Sequence, residues 1–231
     1  MLFRSLRYTP PHLVGRKLVA VNLSDIAAMG ARPRYLLLSV CIPPEYPVEV
    51  IRGVAAGIQE MCKLHGVAVI GGNTSMTSGP MVLDATAIGR AQPDELVRRR
   101  GAQVGDAIFV TGALGNAKAG LRLAQRGAVP SFDSQFFPLF QALADPRPRV
   151  EAGRKLAQHK LPNAMCDVSD GFGSDLRSLL VPERLGARID ARALPVSGPL
   201  LALASEMRFS PELEALTGGE DYELLFTGEI G

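Results

Sequence analysis

The chain has 231 residues, room for one large domain or two smaller ones. Apolar residues make up 47% and charged residues 21%, so it can bury a core, and a net charge of +2 gives no bulk reason to expect nucleic acid or an acidic membrane as a partner. No apolar stretch approaches the ~18–20 residues of a membrane span, the start lacks a signal peptide's apolar core, and Cys41, Cys62 and Cys166 without CxxC spacing predict reduced thiols in the cytoplasm rather than disulfides or a zinc site.

Residues 11–31 predict a helix in which Leu18, Asn22, Asp25, Ile26 and Met29 share a face, with Gly30 as its stop. Residues 34–43 read as a strand, 47–66 as an amphipathic helix ending at Gly66, and 67–74 as a buried strand that breaks at Gly71-Gly72. A further strand spans 81–90. The charged stretch 91–106 is the best boundary, giving an N-terminal domain over 1–95 and a C-terminal one over 96–231. Residues 107–127 predict strand, glycine turn and helix. Then come a helix within 133–144, a helix at 150–160, a strand at 164–168 and a helix at 172–181. A short strand at "ARID" (187–190), two helical pieces and a strand at 221–226 complete the order. The alternation predicts an α/β or α+β sandwich.

The segment "AMCDVSDGFGSDL" (164–176) puts Asp167 and Asp170 where a buried strand runs into a glycine turn. Ligands collect beyond the carboxyl ends of strands in α/β layers, and two carboxylates there suit a hard cation such as Mg²⁺ with phosphate oxygens as co-ligands. The competing reading is that Ser169 or Asp170 only caps the helix near Phe172. Asp175 reads as a solvated or dipole-facing acid in that helix's first turn. Asp25, among Leu, Ile and Met, needs a cation or a nearby arginine. "GGNT" (71–74) and "GGED" (218–221) are either ordinary turns or places of close backbone approach to a ligand. The pairing of "NLSD" with "GGNT" and of "DVSD" with "GGED" is either an echo of two related halves or a coincidence. The helix start in "VTGALGNAKAG" (110–120) faces an anion in one reading, although it lacks the P-loop pattern. Arg98–Arg100 form a solvated patch, or one of them reaches a phosphate. With no nucleophile–base pair in view, this set points to metal-assisted phosphoryl transfer.

"AVNLSDIAAMGARPRYLLLSV", "GVAVIGGNTS", "RRRGAQVGDAIFVTGALGNAKAGL", "MCDVSDGFGSDL" and "LTGGEDYELLF" occur in that order. Together they resemble the thiamine-monophosphate kinase family, of the superfamily that includes aminoimidazole ribonucleotide synthetase and selenophosphate synthetase. The resemblance implies that fold, with an N-terminal mixed sheet that dimerises and a C-terminal α/β unit. It implies ATP-dependent phosphorylation of thiamine monophosphate to the diphosphate, a homodimer, and Mg²⁺ holding the nucleotide. By the same resemblance Asp25, Asn73, Asp167 and Asp170 are metal ligands. Gly72, Asn73, Arg99 and Ser169 contact the nucleotide, and Glu220 the substrate.

The chain also departs from the family's pattern. Asn73 stands where the family has an aspartate, and an amide brings no charge to a metal. Leu2 stands where the family has a histidine, and the family's Gly-Asp-Asp turn, Thr-Asp motif and closing aromatic have no counterparts, so a truncated member with an exposed sheet edge is the expectation. That leaves open an impaired relative that only binds nucleotide or serves as a structural partner, and a superfamily enzyme with another acceptor.

Overall fold

A computed structural model describes residues 8–229 of the protein; Leu2, compared above with the family's histidine, lies outside them. The first half contains helix α1 (Pro11–Ala28), strand β1 (Arg32–Ile42), helix α2 (Val48–His65), and strands β2 (Ala68–Met76) and β3 (Val82–Arg90). The second contains β4 (Ala107–Val110), α3 (Asn116–Gln125), α4 (Phe137–Ala144), α5 (Val150–Gln158), β5 (Ala164–Asp167), α6 (Phe172–Leu180), α7 (Gly198–Met207), α8 (Pro211–Thr217) and β6 (Leu224–Gly228).

Proline at the first position of α1 has no N–H to leave unpaired, which suits a helix start. The helix ends where Gly30 takes φ +68° and its N–H bonds Ala27 O at 2.9 Å. Between these ends α1 is buried on almost every side, with Val14, Leu18, Val19, Leu23 and Ala27 closed to solvent. It packs on α2 and β3 on one side and on α5 and β5 on the other. The expected five-residue face is therefore only partly right: Leu18 and Ile26 are buried, while Asp25 and Met29 are exposed at the rim. Glycine makes the α1–α2 crossing close, since a Cβ on Gly15 would lie 2.0 Å from Val54 O.

The first sheet has the order β2-β1-β3, with β1 parallel to β2 and antiparallel to β3. Leu36, Leu38, Val40, Leu83, Ala85 and Ala87 face the helices. The alternate residues Tyr35, Leu37, Ser39 and Cys41 share the opposite face with Ile88, Thr86, Asp84 and Val82, their partners on β3. No layer covers that face among the described residues; Tyr35 is 46% exposed and Ile88 41%. β2 corrects the sequence reading. It is an edge strand exposed along its whole length, and it continues through both glycines, although its pairing with β1 skips Ile70 immediately before Gly71. Edge position removes the burial that its apolar residues had implied.

The second sheet has the order β4-β6-β5 and is antiparallel throughout. β6 starts three residues later than expected, because Glu220 and Tyr222 adopt left-handed φ values of 65° and 51°. Residues 187–190 form no strand. A cavity of about 440 Å³ separates them from β4, so they have no ladder to join, and they end in a short 3₁₀ turn capped by Asp190. Met165 and Leu224 of this sheet and Val150 of α5 pack in the same cluster as Leu18, Val54 and Leu36. A second cluster joins Leu176 and Leu179 of α6 to Leu225 and Ala215. No helix among the described residues is long and apolar enough to cross a membrane.

Candidate active site

The site is built where the end of β5 meets α1. Asp167, the last residue of β5, is 3% exposed. Its Oδ2 accepts a 2.7 Å hydrogen bond from Ser24 Oγ, on the buried side of α1. Its Oδ1 is also buried and has no partner among the described residues. A carboxylate oxygen removed from water without a partner is costly, so this atom marks a place where a cation or donor belongs.

Asp25 follows Ser24 and brings a second carboxylate to the same place. Although Asp25 sits exposed at the rim, the protein packed behind its carboxyl strips away enough water to lift its pKa above the usual carboxylate range, the charge of Asp167 lifts it further, and Arg99 offsets part of this. Arg99 gets there through the main chain. Val97 N–H bonds Met29 O at 3.2 Å and Met165 N–H bonds Arg98 O at 3.0 Å, so residues 97–98 are tied to the end of α1 and to β5. No ion pair within 4 Å joins Arg99 to Asp25 among the described residues, so the arginine does not discharge the acid pair.

Beyond β5, residues 168–171 turn around Asp175, which sits in the first turn of α6 as one of the two sequence readings had it, and is buried rather than solvated. Asp175 is 7% exposed, and its Oδ2 accepts the backbone N–H groups of Ser169, Asp170 and Gly171, each at 3.0 Å. Burial outweighs those hydrogen bonds and leaves its pKa above the usual range. The helix-cap reading of Asp170 and Ser169 fails: the cap position of α6 is Gly171, with no side-chain cap. Asp170 instead projects from the turn, exposed.

Residues 220–223 run beside this turn. Glu220 N–H bonds Ser169 O at 2.9 Å, Tyr222 N–H bonds Val168 O at 2.9 Å, and Val168 N–H bonds Glu223 O at 2.8 Å. Glu220 pairs with Lys17 at 2.9 Å, and that buried ammonium also donates to Leu143 O at 2.6 Å. Burial raises the pKa of the Tyr222 phenol, and the negative charges of Glu220, Asp167, Asp25 and Asp170 raise it further.

The structure thus gathers Asp25, Asp167, Asp170, Ser169, Arg99 and Glu220. It does not gather Gly72 and Asn73 with them. β1 pairing puts Asn73 beside Ser39 on the sheet's open face, while α1 and Asp25 lie behind the other face. Gly72 serves the strand pairing, since a Cβ there would lie 1.8 Å from Leu38 O. The glycine-turn helix α3 already has its anion: Asp221 accepts from Gly115 N at 2.6 Å and Ala117 N at 3.1 Å. The echo between halves is a coincidence of letters, because "NLSD" is helical and "DVSD" leaves a strand. Sequence reasoning missed Ser24, Lys17, Tyr222 and the bracing role of Asp175. Only Asp175 carried a signal, an acid in the first turn after Asp-Gly. Burial pushes the Cys166 thiol up to about 12, which removes it as a nucleophile.

An Mg²⁺ ion is implied by the family resemblance, and the residues fit one: an unpartnered buried Asp167 Oδ1 beside two more carboxylates that Arg99 does not neutralise. No group of three or more His, Cys, Asp or Glu side chains is close enough to hold a metal unaided among the described residues.

Residues 1–91 match the family described as AIR synthase related protein, N-terminal domain, and residues 103–229 match its C-terminal domain. Thiamine-monophosphate kinase of Rhodopirellula baltica is 38% identical over 213 residues, 92% of this chain and 60% of that protein. The crystal structure of thiamine-monophosphate kinase from Stenotrophomonas maltophilia superposes with a TM-score of 0.88 at 38% identity, covering 96% of this chain and 69% of that one. A structure of AaThiL complexed with AMPPCP and TMP superposes with a TM-score of 0.90 at 31% identity, covering 96% and 70%. The chain spans 60% of the length of the Rhodopirellula baltica relative. It belongs to the AIR synthase-related family, in its thiamine-monophosphate kinase branch.

Proposed function

We propose that this chain carries the nucleotide-binding face of an ATP-dependent phosphotransferase that converts thiamine monophosphate to thiamine diphosphate. The observation that carries the reading is the buried Oδ1 of Asp167, which has no partner among the described residues, at the end of β5 where Ser24 of α1 fixes the other oxygen. The AaThiL complex with AMPPCP and TMP supports the pair of substrates. Asp25 and Asp167, with Asp170 on the turn, are the residues that would hold Mg²⁺. When bound, that ion supplies positive charge to the phosphate oxygens of the transferring group.

The rest is positioning by the chain. Ser24 fixes Asp167 Oδ2 and leaves Oδ1 to face the ligand. Asp175 holds the 168–171 turn rigid, so Ser169 and Asp170 are presented on a fixed backbone. Arg99 offers a guanidinium to phosphate beside the acids. Glu220, oriented by Lys17, is the substrate contact. The open face of the first sheet, which no layer covers among the described residues, is the surface on which a second copy would pack in a homodimer. Free thiols and an ATP donor fit the cytoplasm.

Calorimetric titration with AMPPCP, with and without Mg²⁺, tests the reading. Mg²⁺-dependent binding that Asp170→Asn weakens at least tenfold, in a variant that stays folded, is the expected result. Unchanged affinity in that variant overturns the site. A second reading, binding without turnover, is favoured by the uncharged Asn73. ADP release in the presence of thiamine monophosphate decides between them.

A further inference from the structure

We propose that the cleft at the carboxyl end of α1 binds a small phosphate-class anion through Arg32, Arg34, Arg90 and Arg154. The cleft holds about 300 Å³, and these four arginines line it together with Gly30 and Glu95. Among the described residues Glu95 is the only acid in its wall.

The arrangement is unfavourable for the fold alone. Arg32 and Arg90 are direct cross-strand partners at the ends of β1 and β3, and like charges placed opposite each other destabilise a ladder. The irregularity between Pro33 and Tyr35 in the same ladder brings Arg34 alongside. Arg32, Arg34 and Arg90 make no side-chain hydrogen bond or ion pair among the described residues, and Arg154 has only Glu151 at 3.4 Å. Cations are often drawn to a helix's carboxyl end, but here main-chain donors have taken three of those carbonyls and no arginine side chain bonds any of them among the described residues. Ile26 O accepts from Ala31 N at 3.1 Å, Ala27 O from Gly30 N at 2.9 Å, and Met29 O from Val97 N at 3.2 Å. Three of the four guanidinium groups are therefore unspent, and planar forks lining one small cleft suit the oxygens of phosphate or pyrophosphate.

This site is separate from the acid cluster. Arg99 faces the acids and is not in the cleft wall.

The test is equilibrium unfolding and calorimetry in EDTA, with inorganic phosphate, pyrophosphate, or sodium chloride at matched ionic strength. Wild type should be stabilised saturably by pyrophosphate, beyond the chloride effect. Arg90→Gln should bind pyrophosphate at least fivefold more weakly, while in anion-free buffer it is as stable as wild type or more so, because the cross-strand repulsion is gone. Asp167→Asn should keep the wild-type pyrophosphate affinity. An equal shift with chloride would reduce the cleft to a screened patch. Full affinity in Arg90→Gln, lost affinity in Asp167→Asn, or an Arg90→Gln chain less stable without anion would each overturn the proposal. Including AMP as a fourth ligand identifies the source: tighter binding than phosphate assigns an organic phosphate, equal binding an inorganic one.

Discussion

Ser24 Oγ and Asp167 Oδ2 stand 2.7 Å apart, joining the middle of α1 to the last residue of β5 across the buried seam. This one bond decides which oxygen of Asp167 remains for a ligand. Ser24→Ala leaves both oxygens buried and unpaired, at a cost of about 1–3 kcal/mol. Chemical denaturation in EDTA should show that loss. Mg²⁺ with AMPPCP should recover part of it, and no recovery would count against a cation at this carboxylate.

Asp175 and Asp170 should separate cleanly. Asp175→Ala removes the acceptor of three backbone N–H groups, so the turn loosens and stability falls by roughly 3 kcal/mol. Asp170→Asn removes an exposed charge and should leave the unfolding midpoint within experimental error. Equal destabilisation by both would mean that Asp170 is structural.

Asp221 gives the chain a pH signature. Burial raises its carboxyl from 3.8 to about 6, against the hydrogen bonds from the start of α3. Between those values the folded chain keeps a proton that the unfolded chain has released, so this group favours folding more as pH falls from 7 towards 4. Asp221→Asn cannot titrate. Wild type should therefore gain about 1 kcal/mol relative to the variant between pH 7 and pH 5. A difference that stays constant across that range would place the carboxyl in its ordinary range.

Gly72→Ala should break the β1–β2 pairing. The added Cβ would meet Leu38 O at 1.8 Å, and φ of 153° is poorly open to side chains. A loss of about 2–4 kcal/mol is expected. Gly66→Ala, with open space around its Cβ but φ of 64°, should cost only about 1 kcal/mol. Thermal midpoints of the two variants give the comparison.

The legible parts of this molecule were those whose meaning is local. The run ending in Asp-Val-Ser-Asp-Gly announced both β5 and the acid-bearing turn, because a buried strand, two acids and a glycine each have a short-range signal. Gly30 and Gly66 marked the ends of α1 and α2 for the same reason. What failed depended on neighbours remote in sequence. β2 has the composition of an inner strand, and only the sheet order makes it an edge. Residues 187–190 have strand propensity but no partner. Asp175 looked like a surface acid until the preceding turn folded back over it.

The placement of α1 has a consequence for how the molecule comes apart. Its side chains complete the hydrophobic cluster of the first sheet and that of β5 and β6 together. Neither sheet can shed the helix and keep its own interior dry. The two halves should therefore melt as one cooperative unit, with the amide hydrogens in the middle of α1 exchanging only when the whole chain opens.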